Sequence, residues 1–346
     1  MADWLNRAPL RGLFLFWALV LLAACDKQPP QVTLSGQTMG TGYKVTYRTT
    51  EEGPKQEEVR RLVVMMLESI EDKMSTYRKT SELSRFNGAG TEPFDLSPET
   101  LRVMREAKLI GERSGGALDV TVGPLVDLWG FGPSERQGVP SDEAIAEARS
   151  HVGLDKLTLD PKALQAKKTD PALQVDLSAI AKGYAVDQVS ELLGFLELHD
   201  HLVDIGGELR ANGTKADGQS WRIGIEQPDA PPGEVAQVLE LRNHSMATSG
   251  DYRNYFEADG KRYAHGIDPQ TGRPAENHLA SVSVIHPSCM TADGWATALM
   301  VLGEDRGAKL AERLGLMAHF IYREGDGFKV KDSTAFTTFL EQQKTP

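Results

Sequence analysis

A helix that is apolar around most of its circumference has to be enclosed by other elements, and residues 290–303, MTADGWATALMVLG, spell one. Ala296, Ala298, Leu299, Met300, Val301 and Leu302 supply its apolar surface. The same helix starts with a carboxylate and a hydroxyl, Asp293 and Thr297, four residues apart and therefore on one face. Two readings fit that pair: a cap on a solvated face, or part of a site for a hard metal ion. Mg²⁺ takes near-octahedral oxygen ligands and keeps places for water and substrate phosphates. Two oxygens from one helical turn would then need a third from elsewhere in the chain.

The rest of the sequence supplies both helices and strands to surround that segment. Val59, Leu62, Val63, Met66, Leu67, Ile70 and Met74 recur at helical spacing through residues 55–76. In LSPET, Ser97 can cap a second helix and Pro98 can take its first position, with an end near RSGG at 113–116. Ser141 opens a short helix over 141–150. Alternation predicts strands at 42–50, 173–178, 201–207, 221–227, 234–241 and 279–285, and a hairpin over 252–266 turning at Asp259-Gly260. A helix follows over 179–193, another over 304–315, and strand-like sequence closes the pattern at 317–330. This is an α+β chain with no clean linker, read as one globular body with two lobes.

The first 24 residues stand apart as a signal peptide. Arg7 and Arg11 precede LFLFWALVLLAAC, an apolar run shorter than the roughly 20 residues a bilayer-spanning helix needs. LAAC at 22–25 looks like a bacterial lipobox, which implies cleavage before Cys25 and lipid on its sulfur. Residues 25–36 then read as a lipid-anchored tether and 37–346 as the folded body. Asp26 resembles the signal that retains lipoproteins in the inner membrane, facing the periplasm. Cys289 is the other cysteine, so no internal disulfide is expected, and it reads as a small core residue.

Composition narrows the chemistry. The formal net charge is −11, from 38 basic and 49 acidic residues, and no basic stripe interleaved with aromatics appears, so nucleic acid is not an expected partner. Neither a G-x-G-x-x-G nor a Walker A motif is present. An acidic chain that handles phosphates needs a local cation or a helix N-terminus. DLSAIAKGYAVD (176–187) offers both: Asp176 and Ser178 before a helix start lined with small residues, and Lys182 one turn in. The same residues also suit a capped, tightly packed helix. DIGGELRANG (204–213) fits a bulge, a turn or a close ligand approach. HGIDPQTGRPA (265–275) is a turn-rich loop carrying His265 and Asp268, either exposed or placed for general base work.

TMGTGYKV (38–45), MSTYRKTSELSRFN (74–87), GALDVTVGPLVDLWGFGP (116–133), DLSAIAKGYAVD, DIGGELRANG, ATSGDYRNYF (247–256), HGIDPQTGRP and ADGWATALMVLG occur in that order. Together they resemble the bacterial ApbE family of FAD:protein FMN transferases, across essentially the whole mature chain. The resemblance implies a T-fold-like α+β body with FAD in a cleft between two lobes, and Mg²⁺ at the pyrophosphate. It implies metal ligation by the Asp293 and Thr297 side chains and the Ala179 carbonyl. FAD contacts would fall on Met39, Tyr77, Leu118, Asp119, Val120, Asp176, Lys182 and Ile267. His265 is the expected base, with Asp268 beside it. The implied reaction joins FMN to a threonine or serine hydroxyl of an exported acceptor and releases AMP. Acceptors in the family are domains of membrane redox complexes: Na⁺-translocating NADH:quinone reductase, Rnf-type complexes and nitrous-oxide respiration regulators. A Mg²⁺-dependent FAD pyrophosphatase and a non-catalytic flavin-binding lipoprotein are the alternatives.

Overall fold

The computed structural model describes residues 30–134, 138–215, 217–231, 233–252, 255–258 and 260–343. The signal peptide, Cys25, Asp26 and Asp259 lie outside them. Eight strands build one antiparallel sheet: β1 (Gln31–Thr38), β2 (Thr41–Arg48), β3 (His201–Ile205), β4 (Glu208–Asn212), β5 (His244–Gly250), β6 (Leu279–His286), β7 (Met317–Glu324) and β8 (Gly327–Asp332). They lie side by side in the order in which the chain makes them. Apart from a C-terminal helix, Thr334–Gln343, the other elements are inserted between neighbours, and the largest insertion, residues 49–200, separates β2 from β3.

One face of the sheet carries the helices α1 (Gln56–Met74), α2 (Pro98–Arg113), α3 (Ala181–Phe195) and α4 (Cys289–Leu314). The apolar segment that opened the sequence argument is α4, packed against β5, β6, α3 and α2. Ala292, Ala296, Ala298 and Leu299 are fully buried there. Gly303 breaks the helix with φ 80° and ψ 175°, where the sequence separates two helices. The Asn277 amide donates to the Met300 carbonyl at 2.8 Å beside that kink. The other face is covered by a hairpin, Trp221–Glu226 with Val235–Leu241, through Trp221, Ile223, Ile225, Leu239 and Leu241. A third apolar cluster, Leu125, Trp129, Ile145 and Ile267, sits outside both layers.

Local chemistry fixes most element ends. Ser97 Oγ accepts from Thr100 N and Ser141 Oγ from Ala144 N, as N-caps do. Three expectations are corrected. The tether cannot extend to residue 36, because Gln31–Thr38 pairs residue for residue with β2 and buries Leu34 and Thr38. Residues 173–178 make one isolated bridge, Gln174 to Val122, and no strand. Their backbone is claimed by a side chain instead: Asn87 donates to Val175 O and accepts from Val175 N, both at 2.8 Å. The third concerns β4 and β5, which sequence alternation did not predict.

Two tight turns sit at the same end of the sheet. Met39 and Gly40 have φ 49° and 72° between the paired Thr38 and Thr41, and Gly206 and Gly207 have φ 65° and 101° between Ile205 and Glu208. Positive φ at both central residues is the type I′ pattern that suits the strand twist. Met39 is an unusual occupant, since a non-glycine residue is disfavoured there. Glu71 compensates: its Oε1 accepts from Met39 N at 2.9 Å and Thr38 Oγ1 at 2.8 Å, while Oε2 pairs with Arg78 at 2.7 Å.

Candidate active site

The two turns, α3, α4 and the 221–226 hairpin strand enclose a cleft of about 1450 Å³. That exceeds the roughly 300–1,000 Å³ of pockets for drug-sized ligands, so a ligand of dinucleotide size fits. Met39, Tyr77, Leu118, Asp119, Val120, Asp176, Ala179, Lys182, His265, Ile267, Asp293 and Thr297 all line it. Residues scattered from 39 to 297 in the sequence therefore converge on one space.

Its floor is ionic. α3 and α4 meet at Gly183, where an added Cβ would lie 2.4 Å from Cys289 O and 2.7 Å from Asp293 Cβ. That contact lets the Gly183 N–H, in the first turn of α3, donate to Asp293 Oδ2 at 2.9 Å. Asp293 is 3% exposed. Its Oδ1 lies 4.0 Å from Lys182 Nζ, too far for a hydrogen bond. Lys182 Nζ is 2.7 Å from Glu208 Oε1, and Glu208 Oε2 is buried with no partner. Two buried carboxylates thus share one ammonium. Burial pushes the Asp293 carboxyl up to about 7, opposed by Lys182 and reinforced by Glu208. Burial raises Glu208 too, against the pull of Lys182. Lys182 goes the other way: burial opposes its charge, but Asp293 and Glu208 outweigh that and raise it.

Around this floor stand the hydroxyls and the two outer aspartates. Thr297 Oγ1 is 3.2 Å from Ser249 Oγ of β5. Asp119 and Asp176 close matching turns: Asp119 Oδ1 accepts from Thr121 N and Oγ1, and Asp176 Oδ1 from Ser178 N and Oγ. The Asp176 N–H donates to Val120 O at 2.7 Å, locking the two turns together. Burial raises the Asp119 carboxyl, against the Thr121 hydrogen bonds. Tyr77 is 67% exposed at the rim, its hydroxyl donating to Phe131 O at 3.0 Å. The Phe131 ring also meets the His265 imidazole edge-to-face at 6.3 Å, within a stack that includes Phe256, Tyr263 and Trp129.

Two expectations change. Asp268 is not among the lining residues; its Oδ1 accepts from Gln270 N at 2.8 Å and shapes the loop after His265. Lys182 was expected to face an anion directly, but its ammonium is engaged by Glu208. Cys289 is fully buried, as a core residue should be, and burial raises its thiol. Sequence reasoning missed Glu208 and Ser249. A usable signal for Glu208 existed: an acid directly after a Gly-Gly turn between two strands is placed at the sheet end. Among the described residues no group of three or more His, Cys, Asp or Glu side chains could hold a metal ion, so any metal must also draw on hydroxyl or backbone oxygens.

An α+β body with a large cleft and a buried carboxylate–ammonium floor has the layout of an enzyme for a large anionic ligand. The ApbE family model matches residues 39–320. The chain is 47% identical to the FAD:protein FMN transferase of Vibrio cholerae, over 94% of this chain and 97% of that protein. It is 45% identical to the Haemophilus influenzae protein of the same name, over 97% and 99%. The flavin transferase ApbE structure from Vibrio cholerae superposes with a TM-score of 0.84 at 46% identity, covering 90% of this chain and 100% of that one. The apo flavinyl transferase ApbE of Pseudomonas stutzeri gives 0.84 at 42%, covering 90% and 98%. The chain belongs to the ApbE family.

Proposed function

We infer that this chain is an FAD:protein FMN transferase that moves the FMN half of FAD onto a threonine or serine hydroxyl of an exported acceptor, with Mg²⁺ at the pyrophosphate. The observation that carries the reading is Asp293, fixed by the Gly183 N–H through one oxygen while the other stands clear of hydrogen bonding on the cleft floor beside Thr297. The donor set fits a hard divalent ion: Asp293, Thr297 and Ala179 line one space and would offer a buried carboxylate, a hydroxyl and a backbone carbonyl, and the floor carries more carboxylates than cations. Magnesium bound there would offset charge on the pyrophosphate. The cleft is read as lying between the two lobes of a T-fold-like body.

The chain's own residues then have definite tasks. Met39, Tyr77, Asp119, Asp176 and Ile267 hold FAD along the cleft, and the locked turns of Asp119 and Asp176 keep their positions fixed. A hydroxyl is a weak nucleophile until a base takes its proton. His265, held edge-on by Phe131, is that base. The acceptor oxygen bonds to the FMN-side phosphorus, the bridging P–O bond breaks, and AMP leaves with the electron pair. Holding both substrates in line supplies much of the rate.

Lipid on Cys25 would place the enzyme on the periplasmic face of the inner membrane, beside acceptor domains of membrane redox complexes. The test mixes soluble residues 26–346 with FAD, Mg²⁺ and an acceptor domain, and reads flavin fluorescence on a denaturing gel. A labelled acceptor that disappears with EDTA, with AMP released, is the expected result. Free FMN and AMP without labelled protein would mean hydrolysis, and intact FAD would mean binding alone.

A further inference from the structure

The sheet has a gap where it meets the cleft. β4 pairs with β5 only along Leu209–Ala211, opposite Met246–His244, because β4 begins directly after the Gly206-Gly207 turn. β5 runs on through Ala247–Gly250, paired there with Val284–Ser281 of β6. No described strand pairs with its other edge over those four residues. Thr248, Ser249 and Gly250 line the cleft at this point.

Side chains show what lies on either side of the gap. Ser249 points to the helical layer, its Oγ 3.2 Å from Thr297 Oγ1 of α4. Met246, on the opposite face of β5, packs in the cluster of Ile223 and Ile225 from the covering hairpin. Ile223 and Gly224 of that hairpin also line the cleft. The gap is therefore a slot between two layers, with the partly exposed edge of Thr248–Gly250 as its floor and the buried Ala247 closing its inner end. An unpaired edge offers a row of backbone N–H and C=O groups to an incoming strand.

We propose that the open edge of β5, Thr248–Gly250, binds the hydroxyl-bearing segment of the acceptor protein as an added β-strand. The proposal rests on the transfer reading, which requires a protein backbone to enter the cleft. A strand added here would lie about 4.8 Å from β5, and alternate side chains would face α4. Those side chains reach towards Thr297 and Asp293, where the phosphorus must be. The residues that the family resemblance assigns to FAD, such as Met39, Tyr77, Asp176 and Lys182, come from other elements. Both substrates can thus approach the same centre from different sides.

The test uses the full soluble protein with FAD, Mg²⁺ and a synthetic peptide copying the acceptor segment, N-methylated at one backbone position at a time on each side of the hydroxyl residue. Strand pairing predicts a two-residue alternation. Methylation at every second position raises KM about two- to tenfold or more, the size of one lost hydrogen bond, with kcat less affected. The positions between are tolerated. A flat profile, or equal loss at every position, overturns the proposal. So does a peptide that stays unlabelled while the intact acceptor domain is labelled. Saturating peptide should leave the FAD dissociation constant unchanged; competition between them would assign the edge to FAD and overturn the proposal as well. Failure of the intact domain to be labelled, with AMP released, refutes transfer itself and is distinguishable from all of these.

Discussion

The Gly183 N–H donates to Asp293 Oδ2 at 2.9 Å across the closest approach of α3 and α4. One hydrogen bond therefore ties the floor of the cleft to the packing of two buried helices. In an exposed helix Gly183→Ala would stabilise by up to about 1 kcal/mol. Here the added methyl meets the Cys289 carbonyl at 2.4 Å, backbone that cannot swing aside. The expected outcome is a loss of about 1–3 kcal/mol in denaturant unfolding. Transfer activity should fall further, since Asp293 loses its anchor.

Asp293→Asn keeps the shape of the side chain and removes its charge. Without metal the variant should be as stable as the parent or more so, because one of two buried carboxylates beside a single ammonium is gone. The parent's rise in melting temperature on adding Mg²⁺ should vanish, and transfer should drop about 100-fold or more. Differential scanning fluorimetry with and without Mg²⁺ separates these effects.

His265→Ala should bind FAD as the parent does. Removing a general base costs about 10²–10⁴ in rate, so kcat for transfer should fall by that factor. Fluorescence titration of FAD and single-turnover transfer measure the two quantities. Transfer at the parent rate would remove His265 from the mechanism.

Glu208→Gln leaves Lys182 without its charged partner at 2.7 Å. The ammonium then turns to Asp293 and competes with a cation. The apparent Mg²⁺ requirement for transfer should rise about tenfold, the size of one charge-assisted hydrogen bond. FAD saturation measured at very high Mg²⁺ should return to the parent value.

His201 is a stability switch remote from catalysis. It is 1% exposed, with Nδ1 2.7 Å from Leu198 O and Nε2 2.7 Å from Ser190 Oγ. Those partners suit a neutral ring that donates from Nδ1 and accepts at Nε2. Burial lowers its pKa from 6.5 to about 4. The folded state therefore binds fewer protons than the unfolded state between those values. Its contribution is complete above pH 6.5 and is lost as pH falls towards 4, about 3 kcal/mol in all. His201→Gln should flatten that part of the pH–stability curve.

The helices were legible because period and caps agree. α1 shows its apolar repeat, and Ser97-Pro98 marks the start of α2. β4 and β5 were not, because ELRAN and HSMATSG carry few β-branched residues and no clean alternation. Their strand state comes from neighbours on the sheet, which no local pattern encodes. Residues 173–178 erred in the other direction, since Asn87 takes the Val175 backbone that a strand partner would have used. In the site, the spacing of Asp293 and Thr297 fixed only that they share one helix face; the ordered motifs grouped them with the other residues that line the cleft. Glu208 had a turn signal for its place at the sheet end, but its ion pair with Lys182 was not readable, since it joins a strand to a helix that only the finished fold brings together.

Strands laid down in chain order have a kinetic consequence. From β3 to β8 each strand finds its partner after a comparatively short excursion, so that part of the sheet can assemble from near-local contacts. Joining the β1–β2 hairpin to β3 instead requires closing the whole of residues 49–200. Contacts distant in sequence are the slow ones to form. The seam between β2 and β3 is therefore the natural last step, and it brings Met39 and Gly40 alongside the Gly206-Gly207 turn. Folding and the completion of the cleft end in the same event, so a chain still threading its way to the native state has no finished place to hold a flavin.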